Sequence, residues 1–182
     1  MWKKWKEIKD DKDRVIKDYA KAKERTMNRA VKLLAAKPRS VAELRERLLE
    51  KEWTNGAIVD EVLKKLEDYG YLNDQQFAKD FAASKLRQKP VGKRRLKQTL
   101  SQKKLDKETV EEAIDKVYEK MPEDELIERA IQKRLRLKGK PDTREDTKKF
   151  YDYLLRQGFA YDLIRDKMRE IAKDDLEQDI QD

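Results

Sequence analysis

Between Lys79 and Lys104 the chain places ten basic side chains, Lys79, Lys85, Arg87, Lys89, Lys93, Arg94, Arg95, Lys97, Lys103 and Lys104, against a single acid, Asp80. A second run, Arg129, Lys133, Arg134, Arg136, Lys138 and Lys140, contains no acid. Clusters of this kind neutralise phosphates and release condensed counterions, giving binding that depends on salt and hardly on base sequence. The loop Lys89-Pro90-Val91-Gly92 opens a helix, where free backbone amides with Lys93, Arg94 and Arg95 are expected to hold a phosphate. Neither run is interleaved with exposed aromatic residues, so contact with the nucleic-acid backbone is expected in preference to stacking on bases. The candidate binding residues are Lys85, Arg87, Lys89, Lys93, Arg94, Arg95, Lys97, Lys103, Lys104, Arg134, Arg136 and Lys138.

Other chemistry is largely excluded by composition. With no His and no Cys among 182 residues, the chain has no Ser-His or Cys-His nucleophile pair, no thiolate or imidazole zinc ligand and no imidazole base. Gly56, Gly70, Gly92, Gly139 and Gly158 are never two or five residues apart, so neither GxGxxG nor GxxxxGK can be written. No catalytic residue, metal or cofactor is therefore expected. Charged residues make up 46% and hydrophobic ones 37%, which argues against a thick core. No apolar run approaches the roughly 20 residues that span a bilayer. The start Met-Trp-Lys-Lys-Trp-Lys lacks the apolar stretch of a signal peptide. A cytoplasmic protein with no membrane partner is expected. The net charge of +8 understates the segregation, because residues 174–182 hold Asp174, Asp175, Glu177, Asp179 and Asp182 with no base.

The elements that must position these charges are helices. Pro38, Gly56, Gly70, Pro90 with Gly92, Pro122, Gly139 with Pro141, and Gly158 punctuate a pattern in which apolar residues step by three and four, as in Val41, Leu44, Leu48 and in Ile58, Val62, Leu66. Nothing alternates with period two for long enough to make a strand. Ser40 with Glu43 forms a capping box, and Thr54 or Asn55 caps the next helix.

The pattern repeats. A shift of 52 places Trp53 on Leu105, Leu44 on Leu96, Leu48 on Leu100, Ile58 on Val110 and Val62 on Ile114. A further shift of 54 carries Leu105 to Phe159, Leu96 to Phe150, Leu100 to Leu154, Val110 to Ile164 and Ile114 to Met168. The fold class expected is all-α, with three tandem three-helix repeats stacked into an elongated, curved array. The expected helices are 25–37, 40–51 and 54–69, then 73–88, 91–103 and 106–119, then 122–138, 143–157 and 160–173. The domain reading is an N-terminal basic amphipathic arm over 1–24, repeats over 25–70, 71–120 and 121–173, and an acidic tail over 174–182, expected to be disordered. The arm is expected to pack on the first repeat or to touch a partner.

Three motifs sit in order on this repeat: Arg39-Ser40 with Glu43-Leu44 and Leu48, Gly70-Tyr71-Leu72-Asn73-Asp74 with Phe77-Ala78, and Gly92 with Arg95-Leu96, Leu100, Lys104 and Leu105. By these the chain, over roughly residues 25–172, resembles the RecX family. Glu52-Trp53 and Lys104-Leu105 stand where the family commonly has Lys-Gly and an aliphatic residue. Within the middle motif Gly70 should end one helix and Asn73 or Asp74 cap the next, with Tyr71, Leu72, Phe77 and Phe81 in the core.

The resemblance implies a regulator of the RecA recombinase that binds RecA filaments, within their helical groove, and damps ATP hydrolysis, filament extension and strand exchange. It would thereby act in homologous recombination, DNA repair and the SOS response. The implied partners are the RecA filament and single- or double-stranded DNA, the latter through its phosphates, with the chain itself a monomer. Two other classes stay open: a helix-turn-helix DNA reader, whose third helix with Asp60, Glu61, Glu67 and Asp68 is too acidic for a major groove, and a helical scaffold that binds protein without touching DNA.

Overall fold

Capping sets where the helices begin. Asp18, Asn55, Asp106 and Thr143 each accept a backbone N–H three residues on, and Ser40 with Glu43 makes the expected reciprocal box. The computed structural model describes residues 14–178, with side chains through residue 171, so residues 1–13 of the expected arm and residues 179–182 of the expected tail lie outside the described residues. The described chain is helical throughout its regular structure. Its elements are α1 (Tyr19–Ala36), α2 (Val41–Leu49), α3 (Gly56–Asp68), α4 (Asp74–Gln88), α5 (Lys93–Ser101), α6 (Lys107–Lys120), α7 (Glu123–Lys138), α8 (Arg144–Gln157) and α9 (Tyr161–Gln178). These form three tandem three-helix groups, as the repeat predicts.

Two boundaries differ from expectation by more than two residues. α1 starts at Tyr19 because Asp18 caps it, so the last residues of the expected arm belong to the first group. α9 continues to Gln178, which makes residues 174–178 helical where disorder was expected.

The chain divides into two compact units. One comprises residues up to Phe77 with Lys103–Leu105, and the other comprises Ala78–Gln102 with everything from Asp106 onward. In the first unit, α1, α2 and α3 pack on one another around Ala30, Leu44, Leu48, Val59, Val62, Leu63, Leu66 and Leu72. Each fully buried Leu or Ile of this kind contributes roughly 1.5–3 kcal/mol. Thr54 does not cap α3; Asn55 does, while the hydroxyls of buried Thr26 and Thr54 meet at 2.9 Å. Arg14 closes the α2–α3 turn, its Nη1 donating to the carbonyls of Leu49 and Lys51 at 3.0 and 2.9 Å. The part of the arm that is described thus packs on the first group. Asn73 caps α4 by accepting from Gln76 N–H, and Asp74 accepts the N–H of Val41 at the start of α2, 2.9 Å away. Gly70 takes φ 74° and ends the α3 turn, which sends Leu72 into the core but leaves Tyr71 71% exposed, correcting its assignment to the core.

In the second unit, α5 packs on α6, and α7, α8 and α9 pack on one another. The equivalent core positions recur as buried Leu96, Leu100, Val110, Ile114, Phe150, Leu154 and Ile164. The joint residue Phe159 is buried as well. In the first unit Trp53 is half-buried, with the Arg25 guanidinium 4.7 Å from its ring centroid.

Candidate functional site

The predicted basic residues fall into three physically different groups. Some are already neutralised. Lys103 Nζ lies 2.9 Å from Glu43 and Lys104 pairs with Glu46, both in the first unit, and Ser40 Oγ donates to the Lys103 carbonyl at 2.6 Å. Lys97 sits 2.9 Å from Glu111 in the second unit and holds that carboxyl below its usual range. The run from Lys79 to Lys104 is therefore not uniformly available for a ligand. Lys103 and Lys104 belong to a different unit from the rest and face acids of α2.

Others hold the structure together. The guanidinium of Arg95 donates to the backbone carbonyl of Arg156 at 2.7 Å. Arg134 stacks over Tyr153 at 5.1 Å, Lys85 lies over Phe81 at 5.2 Å and Lys93 over Tyr118 at 5.5 Å. Burial pushes the Tyr118 phenol well above its ordinary value, so it stays protonated and donates to the Val91 carbonyl, 2.8 Å away.

The phosphate cradle expected at the start of α5 is already filled. The Lys93 N–H donates to Glu123 Oε1 at 2.9 Å, and the Gly92 N–H donates to the Gln157 carbonyl at 3.0 Å. A carboxylate thus takes the place at this helix N-terminus where a phosphate was expected.

The third group is free. Arg87, Lys89, Arg94, Arg136 and Lys138 are exposed, and no described residue forms an ion pair with them. To these the structure adds Arg129 and Lys133, which lie in the second basic run. Their spacing to Arg136, four residues and then three, puts all three on one face of α7. That face forms one wall of an open groove of about 600 Å³, completed by Gln88 and Pro90 at the end of α4 and lined also by Glu125, Glu128 and Gln132. Arg134 and Lys138 do not line it. Gln88 and Glu125 carried no sequence signal, because nothing local pairs α4 with α7.

No described helix is long and apolar enough to cross a membrane.

Comparison with known proteins agrees with the three-helix grouping. Residues 27–66, 73–114 and 122–168 match, in order, the first, second and third three-helix domains of RecX. The chain is 31% identical over 169 residues to the regulatory protein RecX of Bacillus subtilis, 93% of this chain and 63% of that protein. It is 33% identical over 165 residues to that of Bacillus velezensis, 89% of this chain and 60% of that protein. It thus spans less than two thirds of the length of these two relatives. Against the RecX of Chlorobium limicola it is 34% identical over 143 residues, 78% of this chain and 86% of that protein. The fold matches the crystal structure of RecX from Lactobacillus salivarius with a TM-score of 0.73 at 23% identity, covering 84% of this chain and 98% of that one. Three ordered domain matches and relatives at this identity establish that the chain belongs to the RecX family.

Proposed function

We propose that this chain is a non-enzymatic, cytoplasmic and monomeric regulator that binds the RecA–DNA nucleoprotein filament and inhibits RecA ATP hydrolysis, filament extension and strand exchange. It would in this way modulate homologous recombination and DNA repair. The observation that carries the reading is the unpaired positive charge in the second and third three-helix groups of a RecX-family chain: Arg87, Lys89, Arg94, Arg129, Lys133 and Arg136 are exposed without an ion pair among the described residues. Of these, Arg87, Lys89 and Arg94 attract a polyanion and lose their grip as salt rises. Contact with single- or double-stranded DNA runs through phosphates, led by Arg87, Lys89 and Arg94. Arg95, Arg134, Lys97, Lys103 and Lys104 contribute less, because each is engaged within its own unit.

The helix-turn-helix alternative is disfavoured by α3, whose exposed surface carries Asp60, Glu61, Glu67 and Asp68 against Lys64 and Lys65, a net negative face for a major groove. Titration of the protein into RecA filaments on single-stranded DNA, with ATP hydrolysis and filament length read in the same samples, tests the reading. Hydrolysis should fall and filaments shorten at protein well below the RecA concentration; unchanged hydrolysis and length at saturating protein contradict it.

A further inference from the structure

The groove between the end of α4 and α7 has a charge order that the rest of the basic surface lacks. Along one face of α7 run Glu125, Glu128, Arg129, Gln132, Lys133 and Arg136, with Gln88 and buried Pro90 opposite. At 1.5 Å per residue the face extends about 16 Å from Glu125 to Arg136. Its first end is acidic and its last end basic. Glu128 is tied by Lys167, 2.6 Å away, whereas Glu125, Arg129, Lys133 and Arg136 have no hydrogen-bond or ion-pair partner among the described residues. A volume of about 600 Å³ holds several side chains, in the range of ligand pockets, and is far too small for a duplex.

The order of charge decides between occupants. Each strand of a nucleic acid carries a phosphate about every 3.4 Å of axis, so a strand laid along this face would press phosphates against Glu125, whose charge no described residue offsets. A protein segment has no such uniformity. It can set a carboxylate at the Lys133–Arg136 end and a cationic or amide donor at Glu125, while Gln88 and Gln132 hydrogen-bond its backbone. Like charges opposed across an interface cost several kcal/mol, whereas complementary order fixes the register of the bound segment.

The geometry points to this groove as a docking site for a protein segment of mixed charge, basic or amide at one end and acidic at the other, and not for the DNA. The inference rests on the proposed function in taking that segment from the protein component of the filament. It separates the protein contact, on α7, from the phosphate contact at Arg87, Lys89 and Arg94.

The test is the sign of one substitution. Glu125→Arg removes an acid and adds a base, which strengthens attraction to any polyanion. The probe is RecA filament on single-stranded DNA at about 150 mM salt, where charges beyond about 8 Å are largely screened. The expected result is at least a fivefold loss of filament affinity for Glu125→Arg, and a loss of similar size for Arg136→Glu. Urea unfolding of both variants would confirm that they are folded. Unchanged or tighter filament binding by Glu125→Arg, with the wild type binding well, overturns the groove assignment and leaves the regulator reading standing. Failure of the wild type to bind filaments overturns the regulator reading and the groove assignment with it.

Discussion

Gly92 and Gly158 lie backbone against backbone: a Cβ on Gly92 would stand 2.3 Å from the Gly158 carbonyl oxygen, and a Cβ on Gly158 would stand 2.4 Å from the Arg95 amide nitrogen. The contact seats the start of α5 in the α8–α9 joint, sealed by the Gly92 N–H on Gln157 and the Arg95 guanidinium on Arg156. It explains why the second repeat opens its middle helix on glycine where the first and third use Ser40 and Thr143 as caps.

Gly92→Ala should therefore destabilise by about 3 kcal/mol, because both neighbours are backbone and must shift as a unit. Gly70→Ala is the comparison. That site has open space and only a positive φ of 74° against it, so its cost should be about 1 kcal/mol. Urea unfolding of the two variants beside wild type checks the order, and equal losses would contradict the close contact.

Lys104 is a non-glycine residue with φ 58°, one shift of 54 before Gly158, which has φ 88°. A side chain in the left-handed region costs roughly 1 kcal/mol. Lys104→Gly should raise stability by about 0.5–1 kcal/mol even though it removes the exposed pair with Glu46, since exposed pairs contribute little. A shift in the urea midpoint to higher concentration at unchanged slope is the expected reading.

Asp106 caps α6, and hydrogen bonds from Thr109 hold its carboxyl below the ordinary value of 3.8. A depressed folded pKa contributes stability above the unfolded pKa, and that stability is lost as pH falls through the folded one. Asp106→Asn keeps a capping acceptor without the titration. The variant should lose less stability than wild type between about pH 5 and pH 3, measured as urea midpoints at each pH.

The cores of the three groups are legible in the sequence because burial recurs with helical period: Leu44, Leu96 and Phe150 occupy one position three times, and all are buried. The ends of the helices are legible where a side chain caps locally, as at Ser40. Tyr71 misleads because the Gly70 turn, not helical periodicity, decides which way it points. The state of each charge is not legible. Lys103 meets Glu43 across 60 residues and Lys97 meets Glu111 across 14, and no local rule joins them. A run of basic residues thus reads as uniformly free charge when helix packing has divided it into paired, structural and free members.

The free members should carry the salt dependence. Replacing Arg87, Lys89 and Arg94 with Gln should reduce the slope of log affinity against log salt by about 0.7 per lost phosphate contact on single-stranded DNA. Lys103→Gln and Lys104→Gln, already paired with Glu43 and Glu46, should change it less. Fluorescence anisotropy across a salt series distinguishes the two sets.

The most direct measurement is RecA ATP hydrolysis on single-stranded DNA with wild-type protein and with an Arg87→Glu, Lys89→Glu, Arg94→Glu triple variant, binding to filament and to bare DNA being followed in parallel. Wild type should bind the filament and suppress hydrolysis, and the triple variant should lose at least tenfold in both while unfolding at the same urea concentration. Binding to bare DNA with hydrolysis untouched, or suppression that survives the triple reversal, would contradict the regulator reading.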